Sequence, residues 1–181
     1  MTKVFIGGSR KLTRLSADVR RRIDTIIKKH LQVLVGDANG ADKAVQQYLK
    51  GYESVEVFCA GGKCRNNLGH WPVRAVSVEG KSRGFDFYAA KDRVMADEAS
   101  VGLMIWDGAS VGTLMNMVRL LRQHKTVVAY VAPAKAFEDL RAQKDLDALV
   151  TRHAPDLRER LERESRPEQP TAGEPRQASL F

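Results

Sequence analysis

Short apolar runs alternate with amphipathic segments along most of the 181-residue chain. Residues 3–8, Lys-Val-Phe-Ile-Gly-Gly, form a β-rich run, and the same character returns at 32–36, 54–60, 101–106 and 126–131. A shorter candidate strand lies at 75–79. Between these runs, apolar residues recur at helical spacing. Ser16 is placed to cap a helix reaching to about residue 30, with Val19, Ile23, Ile26 and Ile27 on its apolar face. Further helices are predicted at 41–49, 85–99 and 112–124. Strands alternating with helices predict βαβ units and a parallel sheet covered on both faces. Right-handed crossovers then give an α/β fold, a Rossmann-like doubly wound, mostly parallel sheet with helices on both faces.

After Pro133 the character changes. Residues 134–152 read as a charged amphipathic helix offering Phe137, Leu140, Leu146 and Leu149 to the preceding domain. Pro155 breaks that helix and starts a short one ending near residue 164. Residues 165–176 contain Pro167, Pro170, Gly173 and Pro175 and no large apolar residue, the composition of a linker. The expected organisation is a domain over 1–132, a helical extension over 133–164 and a flexible tail over 165–181.

Three short segments join an apolar run to a helical pattern: Gly7-Gly8-Ser9-Arg10, Gly36-Asp37-Ala38-Asn39-Gly40-Ala41-Asp42 and Ser110-Val111-Gly112-Thr113. Exposed backbone N–H groups and the helix dipole favour an anion at such turns. In a doubly wound sheet these turns converge at the carboxyl ends of the strands. They therefore predict one crevice for a phosphate-bearing nucleotide. Gly8 lets the backbone approach a ligand, Ser9 offers a hydroxyl and Arg10 a bidentate guanidinium. Gly40 belongs to the second turn, where Asp42 reads either as a partner for ribose hydroxyls or Arg10, or as a complement to its helix dipole. Ser110, Gly112 and Thr113 open the third helix. Lys91 and Arg93 do not share a helix face, and Arg93 is taken as the one facing the crevice. Trp106 ends a strand, as a base-stacking platform or as core.

Charge sharpens this picture. The net charge is +8, and residues 1–132 hold the basic excess. That excess suits phosphate or nucleic-acid chemistry. The stretch 61–84 supplies Lys63, Arg65, His70, Trp71, Arg74, Lys81 and Arg83, a basic set beside an aromatic that fits single-stranded nucleic acid. No run of about 18 apolar residues occurs, so no segment reads as membrane-spanning. Cys59 and Cys64 read as ordinary thiols in a reducing, cytoplasmic setting. With His70 they lack a fourth ligand at zinc spacing, so no metal is expected.

The order Gly-Ser-Arg, Gly-x-Ala-x-Gly-Ala-Asp, Lys-Asp-Arg-x-x-Ala-Asp and Ser-x-Gly-Thr over residues 3–132 resembles the SLOG superfamily. That group includes YspA-type proteins, the cytokinin-activating LOG phosphoribohydrolases and the DNA-processing protein DprA. The resemblance implies a nucleotide-derived ligand over Gly8, Ser9, Arg10, Gly40, Asp42, Ser110, Gly112 and Thr113. It also implies a tendency to homo-oligomers. LOG enzymes cleave the N-glycosidic bond of nucleoside monophosphates with Pro-Gly-Gly-x-Gly-Thr-x-x-Glu. Here the run is Gly112-Thr113-Leu114-Met115-Asn116, and an amide cannot serve as the general base. Asp37, Asp42 and Asp107 are candidate substitutes, none of them selected by the sequence. The expected function is therefore binding of a nucleotide or derivative; alternatives are LOG-like hydrolysis and DprA-like binding of single-stranded DNA.

Gln177-Ala178-Ser179-Leu180-Phe181 resembles the pentapeptide by which bacterial proteins bind the DNA sliding clamp. In such peptides the glutamine, here Gln177, makes polar contacts, and the Leu-Phe pair, here Leu180 and Phe181, fills an apolar pocket. Recruitment to replication, repair or defence follows from that resemblance. The alternative is that Leu180 and Phe181 fold back onto the chain's own domain.

Overall fold

The computed structural model describes residues 1–77 and 85–165. Within them, β1 (Lys3–Gly8), β2 (Gln32–Gly36), β3 (Val55–Ala60), β4 (Val73–Val76), β5 (Val101–Trp106), β6 (Thr126–Val131) and β7 (Ala136–Leu140) form one sheet in the order β4-β3-β2-β1-β5-β6-β7. All neighbours are parallel except β6 and β7. The fold is Rossmann-like and doubly wound, as the alternating pattern implied.

The two-residue period of the strands sorts the core into layers. Val4, Ile6, Val33 and Val35 point to α1 (Ala17–Lys28) and α2 (Ala41–Tyr48), meeting Val19, Ile23, Ala41 and Val45. Phe5, Leu34, Phe58 and Met104 point the other way. There they meet Met95 of α3 (Phe85–Glu98) and Leu114 and Met117 of α4 (Val111–Arg122). Ser16 caps α1 by accepting a hydrogen bond from the Val19 amide at 3.2 Å. The sheet's winding reverses between β1 and β5, and the crevice rule places a ligand at that reversal.

The region after Pro133 differs from its predicted form. A single helix over 134–152 is replaced by β7, followed by α5 (Gln143–His153). Lys135 adopts φ 51° and turns the chain back, so that Phe137 pairs with Tyr130 and Leu140 with Val127. The Phe137 and Tyr130 rings lie 5.0 Å apart, and Leu140 is buried. Covering the β6 edge outweighs the helical spacing of these residues. Asp145 then starts α5 by accepting from the amides of Arg141 and Ala142 at 2.8 and 3.0 Å. A 3-10 turn (Pro155–Leu157) and α6 (Arg158–Ser165) follow as expected.

Cys59 and Cys64, expected as separate thiols, are joined as a disulfide with Cα atoms 5.2 Å apart. The turn at Gly61, φ 79°, returns the chain toward β3 and brings them together. No helix among the described residues is long and apolar enough to cross a membrane. Residues 166–181, which hold the rest of the predicted linker and the tail with Gln177, Leu180 and Phe181, and residues 78–84 with Lys81 and Arg83 lie outside the described residues.

Gly40 locks two of the glycine turns together. It has φ 82°, and a Cβ there would overlap the Arg10 carbonyl. Gly40→Ala is therefore expected to destabilise the domain by about 2–4 kcal/mol. Denaturant unfolding checks this; an unchanged midpoint would show that the two turns are not locked.

Candidate functional site

Strand β1 ends in Gly7 and Gly8 because β5 and α2 press against it. A Cβ on Gly8 would strike the Ile105 carbonyl and stand 2.8 Å from the Ala41 Cβ. The next residue, Ser9, is fully buried. Its hydroxyl donates to Asp107 Oδ1 at 2.9 Å and accepts from the Asp107 amide at 3.0 Å. Ser9 thus ties the β1 turn to the β5 turn, and its hydroxyl does not line the cavity that opens beside it.

That cavity, about 500 Å³, lies where β1, α2, α3 and α4 meet. Gly8, Arg10, Asp42, Ser110, Gly112 and Thr113 of the sequence-derived set line it; Gly40 faces a neighbouring hollow instead. Arg93 does not line it, whereas Lys91 does. Tyr88, Lys91 and Asp92 occupy one face of α3 at spacings of three and four residues, and Arg93 falls off that face.

The floor is a chain of charged and polar groups. Asp42 Oδ2 accepts from the Ala38 amide at 3.2 Å and stands 3.8 Å from the Lys91 ammonium. Lys91 reaches Asp92 at 2.6 Å. Asn116 donates to Asp92 Oδ2 at 3.0 Å and accepts from Arg119 at 2.6 Å. Asn116 of α4 thus links Asp92 of α3 to Arg119. Burial pushes the Asp42 carboxyl up to about 6; Lys91 opposes that shift and Asp92 adds to it. Burial acts to discharge Lys91, but Asp92 and Asp42 outweigh it and raise the ammonium above its ordinary range. A Cβ on Gly36 would collide with the Asp42 carboxylate, so glycine is required beneath this pair.

One wall is aromatic and basic. The Arg65 and Arg10 guanidiniums lie 4.5 and 5.4 Å from the Tyr88 ring centre. Arg65 also grips Asp37 through Nη2 at 2.7 Å and through its backbone amide at 3.0 Å. Burial would raise the Asp37 carboxyl, yet these bonds hold it below the usual range. Tyr88 went unnoticed in the sequence, although its place three residues before Lys91 was a usable signal. The tryptophans are core. Trp106 donates to the Ser110 carbonyl at 3.2 Å, and Trp71 to the Tyr52 carbonyl at 2.7 Å; neither lines the cavity.

The opposite wall is the start of α4. Asp107 Oδ1 accepts from the amides of Ala109 and Ser110 at 3.0 and 2.8 Å. Burial acts to raise the Asp107 carboxyl, but these amide bonds and the Ser9 hydroxyl bring it below its ordinary value. Ser110 Oγ accepts from the Thr113 amide at 3.3 Å and from its hydroxyl at 3.0 Å. The amides of Val111 and Gly112 are left without a partner among the described residues, and both residues face the cavity. Lys11, Arg119 and Arg160 complete the rim.

No protein-family model and no curated protein matches the chain. Solved structures share its fold, among them two DNA processing proteins. DNA processing protein A from Helicobacter pylori is 15% identical, with a TM-score of 0.53, over 71% of this chain and 64% of its own. DprA from Streptococcus pneumoniae is 16% identical, with a TM-score of 0.54, over 81% of this chain and 61% of its own. The chain therefore spans less than two thirds of the length of either. The Helicobacter protein is described as having a unique single-stranded DNA binding mode. At these identities the likeness is one of fold.

The Asp42 carboxyl titrates above its unfolded value of 3.8, so its contribution to stability is complete below that pH and is lost as pH rises through about 6. Asp42→Asn removes this dependence. The stability of wild type relative to the variant is expected to fall by on the order of 2 kcal/mol across that window. Urea unfolding at stepped pH measures it; a constant difference would mean that folding leaves the Asp42 pKa unshifted.

Proposed function

We propose that the chain binds single-stranded DNA, seating a backbone phosphate against the start of α4 and sugar and base groups toward Tyr88 and the polar floor. The observation that carries this reading is one wall presenting the unpartnered Val111 and Gly112 amides, with Arg10, Lys11, Arg119 and Arg160 around the rim. The fold shared with DNA processing protein A supports it. So does the basic excess of residues 1–132. Membership of the SLOG superfamily belongs to the same proposal, supported by the three glycine turns and the doubly wound sheet.

A free nucleotide is the second reading. It is favoured by the cavity's 500 Å³, a small-ligand volume, and by carboxylates on its floor that suit ribose hydroxyls. Fluorescence anisotropy with labelled oligothymidylate, competed by nucleoside monophosphates, separates the two. The DNA reading expects steep loss of affinity with added salt and weak competition. Tight monophosphate binding with no DNA binding would favour the second.

Gly112→Asp is a sharp probe of the phosphate position. A carboxylate in the first turn favours the helix but repels phosphate, so stability is expected to hold while DNA affinity falls about 10-fold or more. Arg10→Ala is expected to weaken binding in the same assay. Wild-type affinity in both variants would remove the crevice from the proposal.

Recruitment to the sliding clamp is a separate proposal, supported by Gln177, Leu180 and Phe181 in the sequence alone. Deleting residues 177–181 is expected to abolish binding to purified bacterial clamp and to leave the melting temperature unchanged. A lowered melting temperature with clamp binding intact would assign the tail to the domain instead.

A further inference from the structure

The Arg10–Gly40 contact has a second side. Gly40, whose inner face touches the Arg10 carbonyl, forms part of the wall of another hollow of about 790 Å³. Arg10 lines the first cavity and Gly40 the second, so a single thickness of backbone separates the two. Arg14, Arg20 and Lys43 line the second hollow, and no carboxylate does. All three cations are exposed. None makes an ion pair or side-chain hydrogen bond among the described residues.

The contrast with the first cavity is informative. There Lys91 is committed to Asp42 and Asp92, and Arg65 to Asp37. In the second hollow Arg14, Arg20 and Lys43 have no ion-pair partner among the described residues, and Arg20 acts electrostatically on the Tyr48 hydroxyl. Asp24, the carboxylate behind this wall, accepts the Tyr48 hydroxyl at 2.8 Å and fixes the ring at the hollow's edge. Lys43 stands in the first turn of α2, where the helix dipole disfavours a cation. Three unpaired cations beside an aromatic ring and apolar Leu15 and Leu68 combine charge with a stacking surface. That combination fits successive nucleotides of a single strand.

We infer that the hollow bounded by Arg14, Arg20, Lys43 and Tyr48 is a second single-stranded DNA subsite, receiving the nucleotides that leave the first cavity across the Arg10–Gly40 ridge. The inference rests on the DNA-binding reading of the first cavity and adds a direction and a length to it. The three cations contact backbone phosphates, and Tyr48 offers its ring to a base. A ligand confined to the first cavity does not reach them.

The test compares labelled oligothymidylates of about 2 and about 10 nucleotides, lengths bracketing the smaller single-strand site sizes. The probe variant is Arg14→Ala/Arg20→Ala/Lys43→Ala. The variant is expected to bind the longer oligomer about 10-fold more weakly, with the log–log salt slope reduced by roughly 0.7 for each phosphate that is no longer neutralised. Affinity for the dinucleotide is expected to be unchanged. Lys43→Glu alone, a single exposed change that spares the core, is expected to weaken only the longer oligomer. If both variants bind that oligomer with wild-type affinity and slope, the second subsite is overturned while the first cavity stands. If the wild type binds neither oligomer, the DNA-binding reading itself falls, and this inference with it.

Discussion

Three stretches of backbone pass through one place at the carboxyl end of β1, and glycine is what lets them. Gly8 lies against the Ile105 carbonyl of β5, and Gly40 against the Arg10 carbonyl. Ser9, between them, fastens its hydroxyl to Asp107 across the sheet's reversal. The β1 turn is thereby bound to both halves of the doubly wound sheet. Its hydroxyl is fully buried, and leaving such a group unsatisfied costs about 1–3 kcal/mol, so the stitch holds the geometry of both neighbouring turns. The starts of α2 and α4 are fixed relative to each other by these contacts.

On that frame the electrostatics divide into floor and rim. Lys91 is buried and keeps its charge because two carboxylates flank it. Asn116 extends the chain from Asp92 to Arg119. A buried network of this kind is stiff, since breaking any pair strands a charge in a poorly solvated place. Arg10, Lys11 and Arg160 stand outside it. The charge is therefore positive where solvent enters and balanced below.

What the sequence disclosed follows the range of the interactions involved. Strands and helices in residues 1–132 were legible because their signals are local: a two-residue or helical apolar period, and a serine three residues from the amide it caps. The same signals misled at Phe137 and Leu140, which are spaced for a helix face but placed by pairing with Tyr130 and Val127 on the β6 edge. At the site, the glycine turns were found, whereas the roles of their polar residues were not. Ser9 resembles a ligand donor until Asp107, 98 residues away, is seen to occupy it. Spacing puts Arg93 and Lys91 on different faces of α3 without saying which face meets the cavity. Lys91 was decided by Asp42 from another helix, a partner that no local pattern names. Trp71 and Trp106 carried the composition of a stacking site, yet both spend their ring N–H groups on backbone carbonyls in the core.

The way α4 begins bears on what kind of anion the crevice suits. A helix start can offer several free amides to one phosphate, and where it does, a single mononucleotide is held tightly. Here Asp107 takes the Ala109 and Ser110 amides, and the Ser110 hydroxyl takes that of Thr113. Two amides remain among the described residues, and Arg10, Lys11 and Arg160 are exposed side chains able to follow a phosphate rather than enclose it. A site that grips each phosphate loosely gains little from a small ligand. It gains more from a polyanion, whose successive phosphates add their counterion release along the chain. The loose grip is thus itself an argument for a strand of nucleic acid over a free nucleotide, and the proposed second subsite, lined by Arg14, Arg20 and Lys43, extends the same argument.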